Sequence, residues 1–263
     1  MDLADVRMYW EGNAESWTQL SRAGYDVYRD ALNTPAFLAI LPPIGGLAGL
    51  DIGCGEGTNT RRLARLGARM EAIDFSPTFI HHAQAEEDRD PLGIAYQVAD
   101  GAALPFSEAS FDFAVAFMSF MDMPEQARAL AEAARVLRPG GFVQFSILHP
   151  CFVPPHRRVV RDPTGEVRAI EVARYFERDQ PYLDVWIFSS IPEEQQAGIE
   201  PFKIPVFHHP LSDWVAYICG AGLVIEQFGE PSASAELAAA VPVVADTRVA
   251  PLFLHIRARK PRS

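Results

Sequence analysis

Asp51-Ile52-Gly53-Cys54-Gly55-Glu56-Gly57 sets three glycines at alternate positions directly behind a carboxylate. Such glycines let a backbone turn sharply and approach a ligand closely. A short apolar lead-in, Gly49-Leu50, precedes the stretch, and a helix-like run from Thr60 to Leu66 follows it. A loop between a strand and a helix N-terminus is suited to a nucleoside-bearing cofactor. The spacing is G-x-G-x-G, and Thr58 stands where the dinucleotide fingerprint G-x-G-x-x-G requires its last glycine. The Asp51 carboxylate would repel a pyrophosphate and would suit a positive amino group. Asp74 closes the next apolar run, Met70-Glu71-Ala72-Ile73, about 20 residues after the loop, where an acid accepts ribose hydroxyls.

Proton-transfer candidates are histidines, which titrate near neutral pH. His149 directly follows the apolar run Phe142–Leu148, at the carboxyl end of an expected parallel strand, where ligands bind in such sheets. Of His208 and His209, one is expected to face a pocket, with His208 preferred. His81, His82, His156 and His255 are assigned to surface or strand positions. Cys151 is read as a small hydrophobe. No metal is expected, because no Asp or Glu clusters with the histidines in sequence.

The elements that must position these groups alternate. Ile94–Gly101, with Asp100 near its end, reads as a third strand, and Phe111–Phe117 as a buried fourth. Glu125–Leu137 reads as a helix stopped by Arg138-Pro139-Gly140-Gly141, before the fifth strand. The motifs D-I-G-C-G-E-G, I-D-F-S, A-D-G-A-A-L-P-F, F-D and A-R-V-L-R-P-G-G occur in this order. Over residues 45 to 150 this resembles the class I S-adenosylmethionine-dependent methyltransferases, most closely the small-molecule branch called type 11. The resemblance implies an α/β Rossmann-like seven-stranded sandwich, ordered 3-2-1-4-5-7-6. It implies that Asp51, Gly53, Cys54 and Gly55 hold the methionine moiety, that Asp74 binds the ribose diol and that Phe75 packs near the adenine. Asp100 would meet the adenine amino group beside the Gly101 backbone, and Phe117 and Met118 would line the methionine side. S-adenosylmethionine would be the cofactor and S-adenosylhomocysteine the product.

Residues 1–44, rich in Tyr9, Trp10, Trp17, Tyr25 and Tyr28, are expected to form a helical cap, with helices ending near Asn33-Thr34-Pro35 and Leu41-Pro42-Pro43. Trp10 and Trp17, seven positions apart, read as one helical stripe. In similar methyltransferases a Tyr or Arg from the Gly24–Arg29 region reaches the cofactor carboxylate; Tyr28 is assigned there and Tyr25 to the catalytic group. Residues 45–150 form the cofactor core. Residues 151–210 carry strand patterns around the turn Asp162-Pro163-Thr164-Gly165 and are expected to form a small antiparallel β lid. Residues 211–263 return to the core with a helix capped by Ser212-Asp213 and strands six and seven. Tyr9, Trp17, Trp186, Phe188 and Phe207, with Phe152 and Phe176, are expected to line the substrate side.

The chain has 263 residues, 49% of them hydrophobic, enough for a sizeable core. Its net charge of -11 argues against a nucleic-acid substrate, which demands a basic surface. The Arg61-Arg62-Arg65 and His156-Arg157-Arg158 groups read as solvated faces. No apolar stretch reaches membrane-spanning length, and an N-terminus acidic from its second residue suggests no signal peptide. Three widely spaced cysteines fit a reducing cytoplasm. The expectation is a cytoplasmic monomer or homodimer. It would methylate O, N or electron-rich C of a small aromatic or apolar metabolite, a phenol or indole type of natural-product intermediate, with a His as base; 2-keto acid C-methylation is a variant within this class. A nicotinamide oxidoreductase and a non-catalytic S-adenosylmethionine-binding protein are the alternatives. The first would need the full glycine fingerprint and a Tyr-x-x-x-Lys, neither of which is present.

Overall fold

The computed structural model describes residues 1–178 and 181–262. Helix α1 (Leu3–Arg22) opens the chain, capped by Asp2, whose side chain accepts from the Asp5 amide. A short wide-turn helix, Arg29–Asn33, runs directly into α2 (Thr34–Ala39). Pro35 therefore begins a helix instead of ending one. It sits in the first turn, where the missing N–H costs nothing.

The core then alternates: β1 (Ala48–Ile52), α3 (Thr58–Arg65), β2 (Arg69–Asp74), α4 (Pro77–Arg89), β3 (Ala95–Val98), β4 (Phe111–Phe117), α5 (Gln126–Val136) and β5 (Leu137–Leu148). β5 begins at Leu137 and runs through the Arg138-Pro139-Gly140-Gly141 stop, earlier than the sequence suggests, so helix passes to strand without an intervening loop. Two small antiparallel pairs follow: β6 (His156–Arg161) with β7 (Val167–Ala173), and β8 (Tyr182–Trp186) with β9 (Phe202–Val206). The one-turn α6 (Glu193–Gln196) lies between β8 and β9. The inserted segment is thus two separate hairpin-like ribbons. The chain closes with α7 (Leu211–Gly220), β10 (Val224–Gly229), α8 (Ala235–Ala240) and β11 (Phe253–Arg259). Pro210, not Ser212 or Asp213, occupies the N-cap of α7, and Asp213 favours its first turn by charge alone.

The seven-stranded sheet is ordered β3-β2-β1-β4-β5-β11-β10. β1 to β5 run parallel, and β11 enters antiparallel to both β5 and β10. Counting β10 as strand six and β11 as strand seven, this is the 3-2-1-4-5-7-6 order. Burial on both faces explains why β4 is apolar almost throughout: Phe113, Ala114, Val115 and Ala116 are all fully buried. Gly49 in β1 is compulsory for packing, since a Cβ there would lie 2.2 Å from the Phe113 ring.

The β8–β9 ribbon is anchored on α1. Phe188, Ile191, Phe202 and Ile204 form a buried cluster with Trp10, Trp17 and Trp186 packed against it. Trp10 and Trp17 meet edge to face at 5.4 Å, as their spacing predicts. Asn13 of α1 pairs with the β9 backbone in both directions, donating to the Lys203 carbonyl at 3.0 Å and accepting its N–H at 3.2 Å.

Candidate active site

A cavity of about 670 Å³ opens at the carboxyl ends of β1, β2 and β4 and is roofed by α1, the Tyr25–Asn33 segment and the ribbons. Its floor is the glycine loop. Gly53 takes φ +76°, and a Cβ there would meet the Ser119 side chain at 2.4 Å, so both backbone and space require glycine. The Gly53 and Cys54 amides donate to the Ile73 carbonyl, while Asp74 accepts from Gly55 N–H and Ser76 N–H, each at 2.9 Å. The β2 carboxylate therefore fastens the β1 loop. Glu11 of α1 accepts from the hydroxyls of Ser76 and Thr78, seating the cap over the N-terminus of α4 beside Phe75.

Asp51 lies beneath the loop. One carboxyl oxygen accepts from the Thr60 hydroxyl at 2.6 Å; the other, Oδ1, is buried with no partner. Burial pushes Asp51 up to about 7, the nearby Asp74 adding to the shift and the Thr60 hydrogen bond opposing it. Burial raises Asp74 to about 6 against its backbone donors. Two buried acids and an orphaned acceptor beside a glycine turn fit a cationic, hydroxyl-bearing nucleoside ligand.

Asp51, Gly53, Cys54, Gly55, Asp74, Phe75, Phe117 and Met118 all line the cavity. Met118 turns the chain off β4 at φ +56°, a conformation uncommon for a residue with a side chain, held by its N–H to the Ser146 carbonyl at 3.0 Å. Asp100 and Gly101 lie just outside the lining. Asp100 accepts from the Ala102 amide, and Gly101 abuts Met123, itself a wall residue.

The Tyr25 and Tyr28 rings also line the cavity, but their hydroxyls are engaged. Tyr25 donates to Gln195 at 2.8 Å; Tyr28 is held between the Val243 carbonyl and Asp246. Arg29 is the cation that the same segment brings to the wall, half-enclosed by Glu56, Asp26 and Asp30. On the ribbon side Trp17, Trp186, Phe188 and Phe207 are lining residues. Tyr9 is not among them, because it projects from a different face of α1 than Trp10 and Trp17. Phe176 is 77% exposed, and Phe152 packs on His149 outside the lining.

The histidines are redistributed. His149 is buried away from the cavity with both ring nitrogens used: Nδ1 accepts from the Cys151 amide at 3.2 Å and Nε2 meets Glu230 at 2.9 Å. It holds the turn after β5. His208 and His209 both line the cavity. His208 Nε2 donates to the Tyr175 carbonyl at 2.8 Å, which leaves Nδ1 as its acceptor. Burial lowers its basicity, partly offset by that carbonyl and by Asp213. His209 Nδ1 meets the Tyr217 hydroxyl at 3.1 Å.

Other wall residues were not assigned to the site by sequence: Asp26, Asn33, Asp122 and Asp184, together with Arg157, which was read as part of a solvated face. Asp122 follows β4 by five positions, and a search of every loop at the carboxyl ends of the strands would have found it. Neither basic group is wholly a solvated face. Arg61 is buried and paired with Glu87 and Asp90, and Arg157 pairs with Asp246 at 2.7 Å. Among the described residues no group of three or more His, Cys, Asp or Glu could hold a metal, and no helix is long and apolar enough to cross a membrane.

A mostly parallel sheet with one antiparallel insertion, a glycine loop after β1 and an acid closing β2 define a class I methyltransferase fold. Residues 50–145 match the family described as "Methyltransferase domain". It is similar to an S-adenosylmethionine dependent methyltransferase from Mesorhizobium loti, at 26% identity and a TM-score of 0.68, covering 86% of this chain and 96% of that one. It is 36% identical over 149 residues to the O-methyltransferase cnsE of Penicillium expansum, covering 54% of this chain and 51% of that protein. It is 37% identical over 112 residues to a demethylmenaquinone methyltransferase of Tropheryma whipplei (strain Twist), covering 42% of this chain and 46% of that protein. The chain thus matches about half the length of these curated relatives.

Proposed function

We propose that this protein transfers a methyl group by in-line displacement to an O, N or electron-rich C atom of a small aromatic or apolar metabolite in the cytoplasm. The observation that carries this reading is the unpartnered, buried Oδ1 of Asp51 under the glycine loop, in a cavity continuous with an aromatic wall and two histidines. S-adenosylmethionine, when bound, supplies an electrophilic sulfonium methyl. Asp51 then pairs with the amino group of the methionine moiety, the glycine backbone makes room for it, and Asp74 accepts from the ribose hydroxyls. Arg29, in place of Tyr28, answers the carboxylate. Phe75 and Phe117 cover the adenine and methionine sides, and aromatic faces near the sulfonium add about 0.5–2 kcal/mol of cation–π attraction.

The aromatic wall of Trp17, Trp186, Phe188 and Phe207 orients a planar acceptor and excludes water. Alignment of this kind is worth about 7–11 kcal/mol. His208, neutral near pH 7 and with Nδ1 free to accept, takes the proton that the acceptor loses. His149 is withdrawn from that role, since its ring does not reach the cavity. Homologues described as O-methyltransferases make a hydroxyl acceptor the first to try. No metal is assigned.

The test is incubation with methyl-labelled S-adenosylmethionine and a panel of phenols, indoles, 2-keto acids and amines, with and without a chelator, followed by mass spectrometry. A labelled product with stoichiometric S-adenosylhomocysteine is expected, unaffected by chelator. Cofactor binding without product from any acceptor class would refute transfer to small aromatic molecules.

A further inference from the structure

We propose that Asp122 recognises the acceptor, its carboxyl donating a hydrogen bond to a ketone, quinone, ester or amide oxygen that the acceptor carries besides its nucleophile. This rests on the methyltransferase reading of the cavity and narrows the substrate class to oxygenated molecules.

Asp122 ends the one-turn helix Phe120–Asp122, just beyond β4. That turn is rigidly held. Phe120 is fully buried and packs on Phe145 at 5.3 Å, and the Ser119 hydroxyl donates to the Ile52 carbonyl. The buried Gln126 amide donates to both the Met121 carbonyl, at 3.2 Å, and the Phe207 carbonyl, at 3.1 Å. This single side chain ties the Asp122 turn to the segment that carries His208, so the two residues flank one end of the cavity.

Asp122 is only 8% exposed, yet it lines the cavity. Among the described residues its carboxyl has no hydrogen-bond or ion-pair partner. Met121, Met123, Phe207, His208 and Trp214 line the same cavity, and among the described residues no charged group pairs with the Asp122 carboxyl. An isolated charge in such surroundings is disfavoured, so the carboxyl stays neutral, and burial alone raises it well above the usual carboxylate range. A neutral carboxyl has one O–H to give. The partner assigned to it is an acceptor oxygen of the molecule that fills the cavity.

Two readouts test this. At pH 8, where Asp51 and Asp74 have ionised, the infrared difference between wild type and Asp122→Asn should show the loss of one carboxylic-acid C=O stretch; this needs no ligand. Calorimetry, with and without S-adenosylhomocysteine, then compares acetophenone with its isostere α-methylstyrene. Wild type should prefer the ketone by about 5- to 10-fold, the range of one neutral hydrogen bond. Asp122→Leu should bind the two within about twofold of each other, whereas Asp122→Asn, which keeps an N–H donor, should retain part of the preference. Absence of the acid band in wild type, or a ketone preference surviving in Asp122→Leu, overturns the proposal. Failure of wild type to bind S-adenosylhomocysteine would instead overturn the cofactor reading, and the infrared band would still decide whether Asp122 is a neutral donor.

Discussion

Cofactor affinity should rise with pH, and Asp51 should be the reason. Burial holds this carboxyl up at about 7, so in the ligand-free protein it is largely protonated at pH 6 and largely ionised at pH 7.5. Only the ionised form pairs fully with the amino group of the methionine moiety, which remains mostly cationic over this range. For a group of pKa 7, the ionised fraction grows about 8-fold between pH 6 and pH 7.5, equivalent to about 1.3 kcal/mol of binding free energy. S-adenosylhomocysteine binding followed by calorimetry should show that slope. Buffers of different ionisation enthalpy should show release of about 0.9 proton per site at pH 6. Asp74 and Asp26, both raised to about 6, add slope only towards the acid end. Asp51→Asn should flatten the profile between pH 6.5 and 7.5. At pH 7.5 it should also weaken binding by about 10- to 150-fold, the range of a hydrogen bond to a charged group. A flat wild-type profile, or a slope unchanged in Asp51→Asn, would refute the assignment of Asp51 to the amino group.

The same raised carboxyls make the ligand-free protein lose stability as pH rises. Their unfolded pKa lies near 3.9, so the folded state holds more protons between about pH 4 and pH 7. Stability is highest at the acid end of that window and falls as pH climbs through it; for Asp51 alone, unfolding free energy should drop by up to about 2–3 kcal/mol between pH 5 and pH 8, and by less in Asp51→Asn. His208→Gln should reduce turnover of a hydroxyl acceptor by about 10²- to 10⁴-fold at unchanged cofactor affinity. His149→Gln should leave turnover per folded molecule intact and lower the unfolding midpoint, since it strips the Cys151 and Glu230 contacts; equal losses of turnover in the two variants would restore His149 as a base. Phe202→Ala, at a position 1% exposed at the start of β9, should cost about 3–5 kcal/mol and weaken acceptor binding more than cofactor binding, as read by urea melts and paired titrations.

That the residues proposed to hold the cofactor share one cavity was legible because their spacing is local. Gly53, Gly55 and Asp51 lie within five positions, and Asp74 ends the neighbouring strand, so strand–loop–helix order alone places them together. The alternation of strands and helices was legible in apolar runs bounded by turn residues, while the sheet order was implied by the family resemblance alone. What failed depended on partners remote in sequence. Tyr28 was expected to reach a cofactor carboxylate, yet its hydroxyl is held by Val243 and Asp246, more than 200 positions away. Arg61 read as a surface cation until α4 and its following turn supplied Glu87 and Asp90.

His149 and His208 show why position on a parallel strand is insufficient to assign a base. His149 sits where ligands bind in such sheets, at the carboxyl end of β5. But β5 is flanked by the antiparallel β11, and the His149 amide is drawn to the Leu252 carbonyl at its edge. That pairing, with Glu230 arriving from beyond β10, turns the ring out of the cavity. His208 has no strand position to recommend it. It reaches the wall because β9 pairs with β8 over α1, and because Gln126 fastens the Phe207 carbonyl to the turn after β4. On the proposed reading, the inserted ribbons deliver the proton acceptor and the sheet the cofactor contacts, so variation in the ribbons would change the acceptor while Asp51 and Asp74 kept the same cofactor.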